Sequence, residues 1–172
     1  NVEWVNTSVN LERLARNLAK QLGARLCLHG APGSGKSLYP HYLGQQLGKP
    51  VHIKAASDLL SPYIGMNERK VAKAFQTAKE EDAILVIDEI DSFLKSRKHS
   101  RSEWESRLVN EFLVQLENFN GVFIATTNLM ESIDPAALRR FDFKLEFKPL
   151  TKAQLESIVL NLCQELLPAI SS

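Results

Sequence analysis

The sequence predicts an α/β fold, a mainly parallel sheet flanked by helices. Three observations carry that prediction. Short apolar runs alternate along the chain with longer segments whose apolar residues recur every three or four positions, the two periods of strand and helix. Residues Ala83 to Ile87 are apolar without a break, as in a parallel strand covered on both faces. The length of 172 residues, 44% of them hydrophobic, suits one domain with a sizeable core.

The elements follow in order. Val9, Leu11, Leu14, Leu18 and Leu22 have helical spacing, with Gly23 expected as the C-cap. A strand over 25–29 leads through a glycine-rich segment into a helix reaching about Leu47. Pro40 falls inside that helix, where it removes a donor and crowds a carbonyl, so a distorted first turn or a kink is expected. The Gly48–Pro50 breaker precedes a strand over 51–54, and 57–65 reads as a short helix and a loop turned by Ser61-Pro62 and Gly65. Val71, Phe75 and Ala78 mark one face of a helix ahead of the buried strand Ala83–Ile87. A polar stretch over 95–102 then leads into a long helix with Trp104, Leu108, Phe112 and Leu116 four residues apart. Gly121–Thr126 is a strand, Pro135–Leu138 a helical turn, and Phe143–Phe147 a strand alternating Phe, Leu and Phe with Lys and Glu. Leu155, Ile158, Val159, Leu162 and Leu166 give a last amphipathic helix.

Composition mainly excludes. With 21 basic and 20 acidic side chains the formal net charge is +1, which provides no global field to gather nucleic acid or an anionic membrane. Cys27 and Cys163 are too few for a disulfide framework and lack metal or redox spacing, so the reducing cytoplasm is the expected compartment. No apolar run is long enough to span a bilayer. His29, His41, His52 and His99 lack metal-ligand spacing and read as packing or surface residues.

Gly30-Ala31-Pro32-Gly33-Ser34-Gly35-Lys36-Ser37 matches G-x-x-x-x-G-K-[ST] between a predicted strand and a predicted helix, the context that the motif requires. Glycines let the backbone curl until successive N–H groups face phosphate oxygens, and the N-terminus of the following helix, expected to begin near Lys36 and to bring Leu38 into the nucleotide-binding set, adds partial positive charge. Lys36 would reach the β- and γ-phosphates of ATP, and the Ser37 hydroxyl would ligate Mg²⁺. The strand ending Ile87-Asp88-Glu89 supplies the complement. Asp88 would hold the Mg²⁺ shell, and Glu89 would polarise the attacking water as general base. Standing alone, the pair would read as helix-capping acids ahead of Ile90-Asp91-Ser92. An Asn128 amide at the end of the 121–126 strand would orient the lytic water. The fold is therefore expected to be of the P-loop nucleoside-triphosphatase type.

The ordered set Gly-Ala-Pro-Gly-Ser-Gly-Lys-Ser, Ile-Asp-Glu-Ile-Asp, Ala-Thr-Thr-Asn and Asp-Pro-Ala-Ala-Leu-Arg-Arg-Phe-Asp resembles the AAA branch of the AAA+ ATPases over roughly residues 23–165. The resemblance implies that Asn128 is the first sensor, and that Arg139 and Arg140 lie where arginine fingers reach a neighbouring subunit's γ-phosphate. Many relatives carry Arg-Pro-Gly-Arg there. The bare Arg-Arg-Phe-Asp leaves the choice between the two open, with Arg140 favoured. Ser61-Pro62-Tyr63-Ile64-Gly65 resembles the aromatic–hydrophobic–glycine pore loop of AAA unfoldases, so that Tyr63, Ile64 and Gly65 would contact a polypeptide. Out of that context it is a turn whose tyrosine packs on its own domain. The 95–101 charge run falls where a second pore loop occurs in related proteins, and as a charge run it reads as a solvated loop.

The resemblance further implies that residues 1–150 form the nucleotide-binding domain and 151–172 the first helix of a small helical lid. The chain opens Asn-Val-Glu-Trp and stops at that helix, which reads as a fragment. The function expected is Mg²⁺-dependent ATP hydrolysis in a homo-oligomeric, hexameric ring that remodels a protein. A small-molecule kinase would need an acceptor site and a closing lid, whereas Glu89 and Asn128 point to activated water. The base-reading motif of guanine-nucleotide switches is absent from the sequence. A DNA-associated loader using ATP as an assembly signal is the remaining alternative, marked by salt-sensitive DNA binding with negligible turnover.

Overall fold

A computed structural model of the chain describes residues 5–7, 9–19, 23–61, 63, 65–92, 94, 103–154 and 156. Among these, six strands form one sheet: β1 (Asn6–Thr7), β2 (Ala24–Gly30), β3 (Val51–Ala55), β4 (Ile84–Asp88), β5 (Val122–Thr127) and β6 (Phe143–Lys148). They lie in the order β1-β6-β2-β5-β4-β3, and every neighbouring pair is parallel except β1 with β6. The helices are α1 (Leu11–Leu18), α2 (Leu38–Leu47), α3 (Ala56–Leu59), α4 (Met66–Glu80), α5 (Glu103–Asn118) and α6 (Pro135–Leu138). The fold is the α/β class expected, a mostly parallel sheet flanked by helices.

Strand periodicity divides the core into two. Along β4, Leu85 and Ile87 pack with Phe75, Phe112 and Leu116 of α4 and α5, while Ile84 and Val86 pack with Leu11, Leu14, Tyr39 and Leu43 of α1 and α2. On the first face Phe75, Phe112 and Phe123 form an aromatic triangle with ring centroids 5.4, 5.7 and 6.0 Å apart. Removing such a ring by Phe123→Ala costs about 3–5 kcal/mol. All six residues of β5 are buried, between the parallel neighbours β2 and β4 in the middle of the sheet.

Some elements depart from expectation. Ala19 caps α1, not Gly23. Gly23 instead lies against the next segment's backbone, where a Cβ would come within 2.6 Å of the Asn120 carbonyl oxygen. The four-residue repeat of α5 is buried from Leu108 onward, but Trp104 is 43% exposed. Leu22, Pro62, Ile64, the 95–102 stretch, Cys163 and all of the last predicted helix except 152–154 and 156 lie outside the described residues. Among the described residues no helix is long and apolar enough to cross a membrane.

Candidate active site

Strand order brings the chemistry together. β5 lies between β2 and β4, so three parallel strands end side by side at the carboxyl edge of the sheet, where open α/β folds bind ligands. The registers His29↔Thr127 and Ile87↔Ala125 set the phosphate loop, Asn128 and the Asp88-Glu89 pair at neighbouring strand ends.

The loop from Gly30 to Ser37 turns on glycine. Gly30 has φ +143° and lies so close to β6 that a Cβ would come 2.0 Å from the Phe147 carbonyl oxygen, so a side chain is barred by both backbone angle and space. Lys36 is 92% removed from solvent by residue area, 8% remaining exposed. Its Nζ donates to the carbonyls of Gly30 and Ala31, both at 2.8 Å, and to Ser34 Oγ at 3.4 Å. Burial pushes the ammonium below the ordinary lysine range, and the nearby charge of Asp88 pulls it partly back. The ammonium thus sits inside the curl of the loop, held by groups that a phosphate oxygen can replace. Ala31, Pro32 and Gly33 form the exposed outer rim, and Ser34 is buried.

The expected irregularity at Pro40 is real and takes the form of a delayed helix. α2 starts at Leu38, after a tight turn in which Leu38 N–H donates to the Gly35 carbonyl at 3.1 Å. A helix starting earlier would need the residue 40 N–H to satisfy the Lys36 carbonyl, and proline has none. Pro40 consequently occupies the first turn, where a missing donor does least harm. Ser37 is the N-cap residue with no side-chain capping bond, which leaves its hydroxyl available.

The acidic side of the site is more tightly built than its sequence suggests. The Thr126 hydroxyl donates to Asp88 Oδ1 and accepts from the Glu89 N–H at 3.1 Å. Next to it, the Thr127 hydroxyl donates to Asp91 Oδ1 at 2.6 Å and accepts from the Leu129 N–H at 3.0 Å. Glu89 has φ +56°, the left-handed region that a residue with a Cβ avoids. Such a conformation costs about 1–3 kcal/mol and persists only where neighbours over-determine it. The Glu89 carbonyl accepts from the Ser92 N–H at 3.0 Å, so the peptide groups on both sides of its Cα are tied. The Glu89 side chain is exposed at this edge, as is Asn128.

A hydroxyl at Ser37 and a carboxylate at Asp88 are hard oxygen donors. Such a donor set would fit Mg²⁺, with water and phosphate oxygens as its remaining ligands.

The two arginines differ sharply. Arg140 Nε donates to Glu117 Oε1 at 2.5 Å and its Nη1 to the Ala136 carbonyl at 2.7 Å. Arg139 is exposed, and its side chain makes no hydrogen bond or ion pair among the described residues. Tyr63, in the turn after β3 and α3, is 70% exposed and therefore does not pack on its own domain. Gly65 beside it has φ +76° and is the N-cap residue of α4.

Thr126, Thr127 and Glu117 were not singled out from sequence. The only signal was a pair of threonines at a strand end, and its meaning depends on which strand lies next to it.

The family model described as "ATPase family associated with various cellular activities (AAA)" matches residues 26–149. The chain is 34% identical over 152 residues to "ATP-dependent zinc metalloprotease FtsH 3" of Sphaerobacter thermophilus, covering 81% of this chain and 31% of that protein. It is 35% identical over 144 residues to spastin of Drosophila melanogaster, covering 79% of this chain and 19% of that one. The chain thus spans less than a third of the length of these curated relatives.

Proposed function

Because the chain belongs to the AAA ATPase family, and so binds and hydrolyses ATP, we propose that it works in a hexameric ring coupling hydrolysis to the unfolding, disassembly or remodelling of a polypeptide. Proteins of this family typically form oligomers. The observation that carries the reading is an exposed arginine whose side chain has no partner among the described residues. Phosphate loop, Asp88 and Glu89 meet at one sheet edge, while the Arg139 side chain stands exposed at the end of α6 with no partner among the described residues. A cation that no described side chain engages fits action on the γ-phosphate of an adjacent copy, and with Arg140 tied to Glu117 it is Arg139 that takes this role.

In this reading Lys36 and the loop amides bind the β- and γ-phosphates. Ser37 and Asp88 hold Mg²⁺, which when bound neutralises charge on the transferred phosphoryl group. Glu89 takes the proton of the attacking water, and the Asn128 amide orients that water. Tyr63, exposed in the turn between α3 and α4, wedges against the polypeptide. The buried free thiol of Cys27 supports a cytoplasmic setting for the assembly.

The test is mass measurement by light scattering with and without ATP and Mg²⁺ on Glu89→Gln, together with its turnover. A ring-sized species that forms with ATP and does not hydrolyse it is the expected result. A monomer at every nucleotide concentration, or turnover at the wild-type rate, overturns the assembly or the base assignment respectively.

A further inference from the structure

We infer that Thr126 is a positioning residue for ATP hydrolysis, its hydroxyl fixing the Asp88 carboxylate and the Glu89 backbone at once; this rests on the reading of Glu89 as general base. A threonine hydroxyl has one hydrogen to give and lone pairs to receive. Here the Glu89 N–H occupies a lone pair at 3.1 Å, so the hydroxyl hydrogen is committed to Asp88 Oδ1. The result is a directed chain of donors, from the Glu89 peptide through Thr126 to the Asp88 carboxylate. One oxygen of Asp88 is thereby engaged, and Oδ2 takes no part in this bond.

The backbone conformation of Glu89 explains why such a device is needed. At φ +56° glycine or asparagine would be at ease, and a glutamate has to be held. Its carbonyl is held by the turn to Ser92, a local contact. Its N–H is held by Thr126, a residue from another strand, 37 positions away. That second bond indexes the base against β5, the strand that ends in Asn128, so base and water-orienting amide share one frame. Thr126 is 2% exposed, which keeps water from substituting for its hydroxyl.

The comparison is among Thr126→Val, Thr126→Ser and wild type in the full chain, with Glu89→Gln alongside. Valine keeps the shape and strand preference of threonine and removes the oxygen, whereas serine keeps the oxygen. Losing a supporting hydrogen bond of this kind costs on the order of 10–100-fold. That loss is expected in kcat of Thr126→Val, with KM for ATP and nucleotide affinity near wild type, and Thr126→Ser should recover most of it. An independent readout is amide hydrogen exchange in the nucleotide-free protein. The Glu89 amide should exchange about tenfold faster or more in Thr126→Val, as expected when a single protecting bond is removed, and at the wild-type rate in Thr126→Ser. Should valine unfold the domain, Thr126→Ser and Thr126→Ala, which differ by one oxygen, make the same comparison. Wild-type kcat in the variant lacking the oxygen, equal losses with and without it, or an unchanged Glu89 amide overturns the inference. If Glu89→Gln itself hydrolyses ATP normally, it is the base assignment that fails.

Discussion

Arg140 is bound to Glu117 within its own chain, Nε to Oε1 at 2.5 Å, whereas the side chain of Arg139 has no hydrogen bond or ion pair among the described residues. The pair is partly exposed, with 34% and 54% of the two side chains accessible, so it is worth at most about 1 kcal/mol. Its effect is on direction. It turns Arg140 back toward α5 and leaves Arg139 as the outward-facing cation.

Arg139→Ala should therefore bind ATP normally and lose hydrolysis, by about 10³–10⁵-fold if it acts as arginine fingers do elsewhere. Arg140→Ala should lose far less turnover and melt slightly earlier. Mixing Arg139→Ala with Lys36→Ala should restore some activity where one intact site meets one intact arginine. Steady-state turnover across mixing ratios checks this, and greater damage from Arg140→Ala would reverse the assignment.

Lys36→Ala should abolish ATP binding or nearly so. The ammonium already lies in the curl of the loop, 2.8 Å from two carbonyls, so its removal deletes both the phosphate partner and the brace. Calorimetry measures the first effect. Faster amide exchange through Gly33 to Gly35 in the nucleotide-free protein measures the second.

Tyr63→Ala should keep basal ATP hydrolysis, since this side chain lies apart from the phosphate loop and the Asp88-Glu89 pair. Work on a polypeptide per ATP hydrolysed should fall, and Phe or Trp at 63 should preserve it, because apolar bulk carries the grip. An unfolded protein such as reduced, carboxymethylated lactalbumin serves as the probe. Equal coupling in Tyr63→Ala and wild type would remove threading and leave the ATPase standing.

Cys27 should resist alkylation in the folded protein. Burial pushes its thiol up to about 12, so at pH 9 it remains protonated while an ordinary thiol is largely thiolate. Linkage gives the sign. Above the unfolded value near 9 the unfolded chain loses this proton and the native one keeps it, so stability falls as pH rises toward 12. Peptide mapping after iodoacetamide treatment, with and without denaturant, reads the protection directly.

The phosphate loop and the acidic strand end were legible because each is contiguous in sequence and flanked by strongly periodic elements. β1 was not, since Asn6 and Thr7 carry no strand pattern and pair only because β6 offers an edge. The start of α2 at Leu38 was half legible. Pro40 announced a disturbance, but its form depends on which carbonyl would be left without a donor. The bonds from Thr126 to Asp88 and from Arg140 to Glu117 join residues 38 and 23 positions apart. They exist because β5 lies against β4 and because α5 ends near α6, arrangements set by packing that no local window contains. The left-handed Glu89 is the sharpest case. Residue preference argues against it, and one long-range bond to Thr126 together with the local turn to Ser92 holds it there.

The strand order also grades the domain from stiff to yielding. β5 is flanked on both sides and sealed at every position, whereas β3 is hydrogen-bonded to β4 alone and leaves Ile53 and Lys54 in solvent. Opening free energy follows such differences, so amides of the marginal strand exchange first and those of the interior strands last. Nucleotide chemistry is thus mounted on the rigid axle of the sheet and Tyr63 on its compliant rim. Asp88 and Ala55 are register partners across the single ladder between them. A small displacement at the axle therefore has one short route to the rim, and little bonding on the far side to resist it.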